Sequence, residues 1–136
     1  MELVLKIGEL AKRTGCQVAT IRFYGHEGLL PAPARSRGNY RLYSEAHIER
    51  LQFIRHCRSL DMTLDEVRSL LRLRDAPEES CRAANALLDE RIEQVSLRIA
   101  ELQGLQLQLK QLRGQCQSGH VAKDCGILQG LTHGGG

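Results

Sequence analysis

The sequence contains no long apolar run, no tryptophan and only three prolines. No apolar stretch approaches the about 20 residues that a membrane helix needs, so we expect no transmembrane segment. Residues 1–6 lack the hydrophobic stretch of a signal peptide, which favours a cytoplasmic protein. No Ser/His/Asp arrangement and no pair of carboxylates suited to acid–base chemistry is visible, and this argues against an enzyme.

Charge is distributed unevenly along the chain, although the net charge is only +3. Residues 1–60 carry ten Lys/Arg and five Asp/Glu, a balance of +5. Residues 61–136 carry nine and eleven, a balance of −2. A basic N-terminal half followed by a mildly acidic half indicates a nucleic-acid-binding head attached to a different kind of segment.

The chain has five cysteines. In a cytosolic protein they favour metal binding or redox chemistry over a disulfide framework. Cys16 lies in a predicted turn and Cys57 on the apolar face of a predicted helix, so we expect both to be buried structural thiols. Cys81, Cys116 and Cys125 flank a long helical segment and are the candidate metal ligands.

Two short helices are predicted at the N-terminus. Residues 7–11 carry the apolar face of the first helix, and Gly15 can take the left-handed conformation that ends it. Two helices joined by a glycine-containing turn form a helix-turn-helix. In the second helix we expect Val18, Ile21 and Phe23 to face inward and Thr20, Arg22 and Tyr24 to face outward.

A small hairpin, or wing, is predicted after the second helix. Gly38 and Asn39 form the tip, and residues 40–43 alternate like a short strand. The second helix of a helix-turn-helix enters the major groove of DNA, and basic side chains on the wing would neutralise phosphates beside it. The predicted DNA contacts are Thr20, Arg22, Tyr24, Arg35, Arg37, Tyr40 and Arg41.

Two further helices follow the wing. Ser44 is a good N-cap for a helix that runs to about Leu60. Thr63 and Glu66 form a capping box that opens the next helix, and Pro77 ends that segment.

A long helix is predicted over residues 85–113, which contain no proline and one glycine. Its length of roughly 40 Å would keep Cys81 from reaching Cys116 within one subunit. In a two-fold dimer with antiparallel helices, each end would instead hold Cys81 of one subunit with Cys116 and Cys125 of the other. A helix packed on a globular core is the alternative. The spacing of a heptad seam is carried by Leu88, Ile92, Val95, Ile99, Leu102, Gln106 and Leu109.

The predicted fold is therefore mainly α: a winged helix-turn-helix domain, a long antiparallel coiled-coil dimerisation helix and a short metal-binding loop. The predicted boundaries are 1–75 for the DNA-binding domain, 76–84 for a connector with a metal ligand, 85–113 for the dimerisation helix, 114–128 for the metal-binding loop and a short terminal helix, and 129–136 for a flexible tail.

Three thiolates with an incomplete fourth position suit a soft ion such as lead, cadmium or mercury. Structural zinc usually takes four closed ligands. His120 is a candidate fourth ligand, although a histidine in a glycine-flanked loop is more often solvated.

Several segments resemble the MerR family of transcriptional regulators, and the resemblance covers nearly the whole chain. Gly25 departs from the family, which usually has an acidic residue at this position, and we expect a looser helix end there without loss of DNA binding. The family motifs lie at residues 7–11, 20–24, 27–30 and 38–43, and residues 51–62 and 125–129 resemble its lead and cadmium branch.

The resemblance implies a homodimer that binds a pseudo-palindromic promoter whose spacer is too long for RNA polymerase. The metal-bound dimer would bend and untwist this DNA and so activate transcription. The resemblance also implies DNA contacts by Arg22, Tyr40 and Arg41. It favours lead or cadmium as the effector of the three-cysteine site.

Alternatives within the family stay open at this point. Its mercury sensors share the three-cysteine pattern, and its zinc sensors use a histidine where His120 stands. A redox switch between Cys116 and Cys125 is a further alternative. The iron–sulfur member needs four clustered cysteines near the helix end, and the drug-binding branch needs a large C-terminal domain, so neither fits this chain.

Overall fold

The computed structural model of the chain describes residues 3–117, 119 and 121–133. Over these residues the fold is mainly α-helical, which confirms the predicted fold class, and it also contains one two-stranded hairpin. The chain divides into two compact units, the first ending at Leu87 and the second beginning at Leu88. Within the described residues, every helix is too short or too polar to cross a membrane.

The helix-turn-helix lies where the sequence predicts it. Helix α1 spans Ile7–Thr14, and helix α2 spans Val18–His26 and continues through Gly25. Gly15 ends α1 with a φ of 72°, a left-handed conformation that glycine adopts without steric cost. Its amide donates a hydrogen bond of 2.9 Å to the Ala11 carbonyl, which satisfies one of the free carbonyls at the helix end.

The two faces of α2 differ from the prediction at two aromatic residues. Tyr24 is only 8% exposed and packs in the core, whereas Phe23 is 46% exposed. Tyr24 follows the buried Ile21 by three residues, so the two share one face of a helix with 3.6 residues per turn. The prediction that Phe23 faces inward and Tyr24 outward is therefore wrong, and a DNA contact by Tyr24 stays a prediction.

The wing is an antiparallel hairpin made of β1, Ala34–Arg35, and β2, Arg41–Leu42. Asn39 takes a φ of 66° at its tip, in the left-handed region that asparagine tolerates better than most residues. The Asn39 amide donates a hydrogen bond of 2.9 Å to the Ser36 carbonyl and closes the turn.

The next two helices begin at the predicted caps. Helix α3 spans Glu45–Ser59 after Ser44, and helix α4 spans Leu64–Arg74. The Thr63 amide donates to the Glu66 carboxylate at 2.8 Å, and the Glu66 amide donates to the Thr63 hydroxyl at 3.1 Å. This reciprocal pair satisfies two of the free amides at the start of α4, as the capping box predicts.

The first unit has an apolar core between its four helices and the base of the wing. Leu51 and Ile54 of α3 and Val67 of α4 are fully buried in it. Leu5 and Tyr43 exchange two backbone hydrogen bonds, of 2.8 and 2.7 Å, and so attach the wing to the start of the chain. This packing holds α2 and the wing on one scaffold.

Helix α5 spans Arg82–Arg113 without interruption, so it begins one turn before the predicted start and ends where predicted. A helix of these 32 residues is about 48 Å long. No residue of α5 is buried. Six apolar residues of the predicted seam remain between 42% and 62% exposed: Leu88, Ile92, Val95, Ile99, Leu102 and Leu109.

The chain after α5 contains more regular structure than predicted. A 3-10 turn spans Ala122–Asp124, and helix α6 spans Gly126–His133. The prediction of a flexible tail is wrong for residues 129–133, because α6 includes them. Residues 134–136 of that tail lie outside the described part of the chain.

Candidate nucleic-acid interface and metal centre

A cleft of about 350 Å³ lies between α2 and the wing. It is lined by Arg22 from α2, by Arg35 from β1 and by Arg41 from β2, and all three side chains are exposed. No carboxylate occurs among the described residues that line it. The fold thus brings three of the predicted DNA-contacting residues together on a surface whose charge suits phosphate.

The other predicted DNA contacts lie near this cleft with different exposure. Arg37 and Tyr40 are exposed on the wing, whereas Thr20 is half-buried on α2. The Lys6 ammonium lies 5.3 Å from the centre of the Tyr40 ring, within the range of a cation–π contact. Lys6 adds a cation beside the wing that the sequence did not single out.

Two arginines beneath this surface hold the segment that follows α2. The Arg50 Nε donates a hydrogen bond of 2.7 Å to the Leu29 carbonyl. The other two nitrogens of its guanidinium donate to the Asp75 carboxylate at 2.8 and 3.0 Å. Arg68 of α4 donates to the Glu27 carbonyl at 2.9 Å. These contacts tie the end of the predicted recognition helix to α3 and α4.

The ion pair with Arg50 changes the pKa of the Asp75 carboxyl. The hydrogen bonds from Arg50 hold the pKa of the Asp75 carboxyl below its usual range. The Asp75 side chain is 54% exposed, so solvent screens much of this interaction. No sequence pattern separates Arg50 from the other arginines, because its partners Leu29 and Asp75 are distant along the chain.

Cys81 lies immediately before α5. Its carbonyl accepts the Asn85 amide at 3.0 Å, and its sulfur lies 4.0 Å from the Asn85 side-chain nitrogen. The thiol is exposed at the edge of a cleft of about 300 Å³ lined by Phe53, Leu73 and Pro77 among others. This position leaves the sulfur accessible to a ligand from outside the first unit.

Cys116 and Cys125 lie next to each other in the second unit, and both are half-buried. A hydrogen bond with Cys125 is the main cause that raises the pKa of the Cys116 thiol. The Leu128 amide is the main cause that lowers the pKa of Cys125, followed by the hydrogen bond from Cys116. Cys125 is therefore the sulfur that loses its proton first.

The described residues of one chain do not bring three Cys, His, Asp or Glu side chains together into a metal-binding group. Cys116 and Cys125 supply two soft donors. The position of His120 lies outside the described residues, so its ligand role stays a prediction. Cys16 and Cys57 are buried, as predicted, and burial raises the pKa of the Cys57 thiol.

Comparisons with known proteins agree with this arrangement. Family models described as "MerR HTH family regulatory protein" and "MerR, DNA binding" match residues 5–73 and 48–112. A crystal structure of the transcription regulator PbrR691 from Ralstonia metallidurans CH34 in complex with lead(II) is 54% identical to this chain. It superposes with a TM-score of 0.87 and covers 93% of this chain and 98% of the other.

Two further relatives do not have lead in their names. The transcriptional regulator ZntR homolog of Haemophilus influenzae is 48% identical over 80% of this chain and 81% of its own length. The mercuric resistance operon regulatory protein of Bacillus cereus is 34% identical over 93% of this chain and 96% of its own length.

Proposed function

The chain belongs to the MerR family and is a metal-responsive transcription regulator, and we propose that its effector is lead(II) or cadmium(II), bound by Cys81, Cys116 and Cys125. The regulators of this family are not enzymes, which confirms the expectation from the sequence that the chain has no catalytic activity. The observation that carries the proposal is the packing of Gln115, which precedes Cys116, against Gly126, which follows Cys125, because it brings two soft donors to one end of α5. The third cysteine, Cys81, lies at the other end of that helix.

The chemistry of the donor set fits a soft cation. When bound, the cation supplies a fixed positive charge that links the three sulfurs. Hydrogen bonding from the Leu128 amide, followed by that from the Cys116 thiol, lowers the pKa of Cys125 and favours its thiolate form. Cys116 must then also lose its proton, so binding releases protons and weakens as the pH falls.

The choice among soft cations is supported by the comparisons. Similarity to the lead-bound regulator at 54% identity favours lead(II), and cadmium(II) shares its preference for thiolates. Zinc and mercury are the competing effectors because relatives at 48% and 34% identity are a ZntR homolog and a mercuric resistance regulator. Promoter activity titrated with lead, cadmium, mercury and zinc would decide among the four.

We further propose that the functional protein is a homodimer with antiparallel α5 helices. The support is the row of apolar side chains along α5 that stay exposed among the described residues of the chain. A helix about 48 Å long separates Cys81 from Cys116 along one chain, so three sulfurs can share an ion only if a second subunit contributes. Each site would combine Cys81 of one subunit with Cys116 and Cys125 of the other.

On promoter DNA, we propose that α2 of each subunit enters the major groove and that the wing contacts the adjacent backbone. The support is the arginine-lined cleft between them. Distorting the DNA costs several kcal/mol, and the sensor can supply this only if it favours one dimer geometry over another. RNA polymerase would then recognise the realigned promoter.

A mixed dimer tests the shared site. We would combine a Cys81→Ser chain with a Cys116→Ser/Cys125→Ser chain and titrate cadmium, following sulfur-to-metal absorbance. The proposal predicts one intact and one empty site in each heterodimer, while neither parent homodimer has an intact site. Heterodimers that bind no cadmium would show that the cysteines do not act across subunits.

A redox switch is the second candidate, since the Cys116 and Cys125 thiols each shift the pKa of the other. Oxidation would join the two sulfurs in a disulfide and release two protons and two electrons to the oxidant. Activation of the promoter by an oxidant in metal-free medium would favour this function over metal sensing.

A further inference from the structure

The segment before Cys116 packs against the helix that follows Cys125. A Cβ atom on Gly126 would lie 3.0 Å from the Gln115 carbonyl carbon and closer still to its oxygen. A Cβ atom on Gly130 would lie 3.4 Å from the Leu112 side chain and would overlap the Gln115 side-chain oxygen. Only glycine fits at position 126, because real Cβ atoms essentially never come this close to a backbone atom, whereas at position 130 the end of the Gln115 side chain could move aside.

The two glycines lie on one face of α6. They are four residues apart in a helix with 3.6 residues per turn, so both face Gln115. Gly126 meets the Gln115 backbone, and Gly130 meets the end of the Gln115 side chain. We call this contact of Gln115 with Gly126 and Gly130 the glycine dock.

The position of the glycine dock in the sequence gives it a consequence for the cysteines. Gln115 directly precedes Cys116, and Gly126 directly follows Cys125. Contact between Gln115 and Gly126 therefore closes the loop that joins the two cysteines at its base.

Two hydrogen bonds support the closed loop. Arg113 donates to the Cys116 carbonyl at 2.8 Å, on the α5 side of the loop. The Gln129 side chain donates to the Lys123 carbonyl at 3.2 Å and holds the 3-10 turn against α6. Both bonds act at the ends of the segment that the glycine dock brings together.

We propose that Gly126, Gly130 and Gln115 are positioning residues that set the separation of the Cys116 and Cys125 sulfurs. The inference rests on the proposed function for its link to metal affinity. The glycine dock closes the loop between Cys116 and Cys125 before a metal ion binds, so ion binding does not have to supply the entropy lost on loop closure. Loss of groups that orient metal ligands typically weakens metal affinity about 10- to 100-fold.

The test compares four full-length variants by cadmium affinity, measured in competition with a chromophoric chelator. Gly126→Ala should bind about 10- to 100-fold more weakly, because the Gln115 backbone cannot give way. Gly130→Ala should weaken binding less, because the end of the Gln115 side chain can rotate away, and adding Gln115→Ala should remove the remaining defect. Gly104→Ala is the matched control, since no atom lies within 4 Å of a Cβ placed there.

Alanine has a higher helix propensity than glycine, so loss of the α6 helix would not explain a defect in either variant. Failure of Gln115→Ala to restore Gly130→Ala would overturn the role of the Gln115 side chain. Wild-type affinity in Gly126→Ala would overturn the glycine dock as a whole.

A second measurement separates the glycine dock from the metal proposal. Glutathione disulfide oxidises two adjacent thiols to a disulfide and is itself reduced to two glutathione molecules. In metal-free protein, Gly126→Ala should form the Cys116–Cys125 disulfide at least about tenfold more slowly, because close thiols react by proximity. Peptide mapping by mass spectrometry measures this rate. A slower rate in Gly126→Ala, with wild-type protein that binds no cadmium, would support the glycine dock and reject the metal site.

Discussion

The two units of the chain differ in how much of their apolar surface is buried. The first unit buries Leu51, Ile54 and Val67 in a core of its own and caps its helices with local hydrogen bonds. The second unit contains α6 and most of α5, neither helix has a buried residue, and apolar side chains line α5. The difference teaches that the first unit forms its core within one chain, whereas the second unit exposes the apolar surface that the proposed dimer would cover.

The strongest way to break this comparison is to place a charge on the α5 seam. Ile99→Glu would bury one carboxylate from each subunit in the proposed dimer interface. An unpaired buried charge costs about 3–5 kcal/mol, so dimerisation should weaken at least about 100-fold. Sedimentation equilibrium measures the association, and operator binding should weaken with it.

Leu97→Glu is the control for this substitution. Leu97 is 58% exposed on α5 but lies outside the heptad seam, while Ile99 is 50% exposed within it. Equal effects of the two substitutions would contradict the seam. The first unit should stay folded in both variants, because neither residue belongs to its core.

A smaller effect is expected from substitutions in the arginine-lined cleft. Arg22→Ala or Arg41→Ala should weaken operator binding by about 1–3 kcal/mol if the side chain contacts a base. A phosphate contact would instead reduce the salt dependence of binding by about one unit of slope. Fluorescence anisotropy with operator DNA at several salt concentrations distinguishes these outcomes.

Cadmium affinity should be unchanged in both arginine variants, since the cleft belongs to the first unit and the paired cysteines to the second. A parallel loss of metal binding would mean that the two units are not separable in the way the comparison claims.

Substitutions at Arg50 and Asp75 should change the stability of the first unit, with the smallest effect of all at Asp75. Arg50→Ala should cost about 1–3 kcal/mol of unfolding free energy, because it leaves the Leu29 carbonyl without its charged donor. Asp75→Asn should cost no more than about 1 kcal/mol, since the carboxylate is largely exposed. Urea denaturation of the two variants measures both values.

The pH dependence of this pair has a defined sign. Since Arg50 lowers the pKa of Asp75 in the folded state, the stabilisation is complete above the ordinary aspartate range of about pH 4. It is lost as the pH falls through the lowered pKa. The stability difference between wild type and Asp75→Asn should therefore vanish in acid, and a constant difference would reject the ion pair as its cause.

Local signals in the sequence predicted the parts of the fold that local interactions form. The capping box of Thr63 and Glu66 and the left-handed Gly15 need only neighbouring residues, and both are present. The orientations of Phe23 and Tyr24 were predicted wrongly. The two residues are adjacent and both aromatic, so the hydrophobic pattern does not show which of them faces inward. Which one packs inward depends on tertiary contacts with the core, which Tyr24 joins.

The candidate site could be predicted only in part for the same reason. The cysteines were visible as residue types, but the contact of Gln115 with Gly126 depends on how α6 folds back, and no periodic pattern encodes it. The α6 residues beyond Leu128 looked like a glycine-containing tail, yet packing extends the helix to His133. Arg50 was missed because the carbonyl it binds lies in a loop 21 residues away.

The uninterrupted length of α5 also bears on how such regulators diverge. In an antiparallel pair of identical helices, an insertion of seven residues lengthens both helices equally. The end of each helix would still lie beside the start of the other, so Cys81 of one subunit would stay near Cys116 and Cys125 of its partner. The two heads would move apart by about 10 Å, which is about three base-pair steps of DNA. In the proposed dimer, the length of α5 would thus set the distance between the two heads independently of the chemistry of the sulfur site.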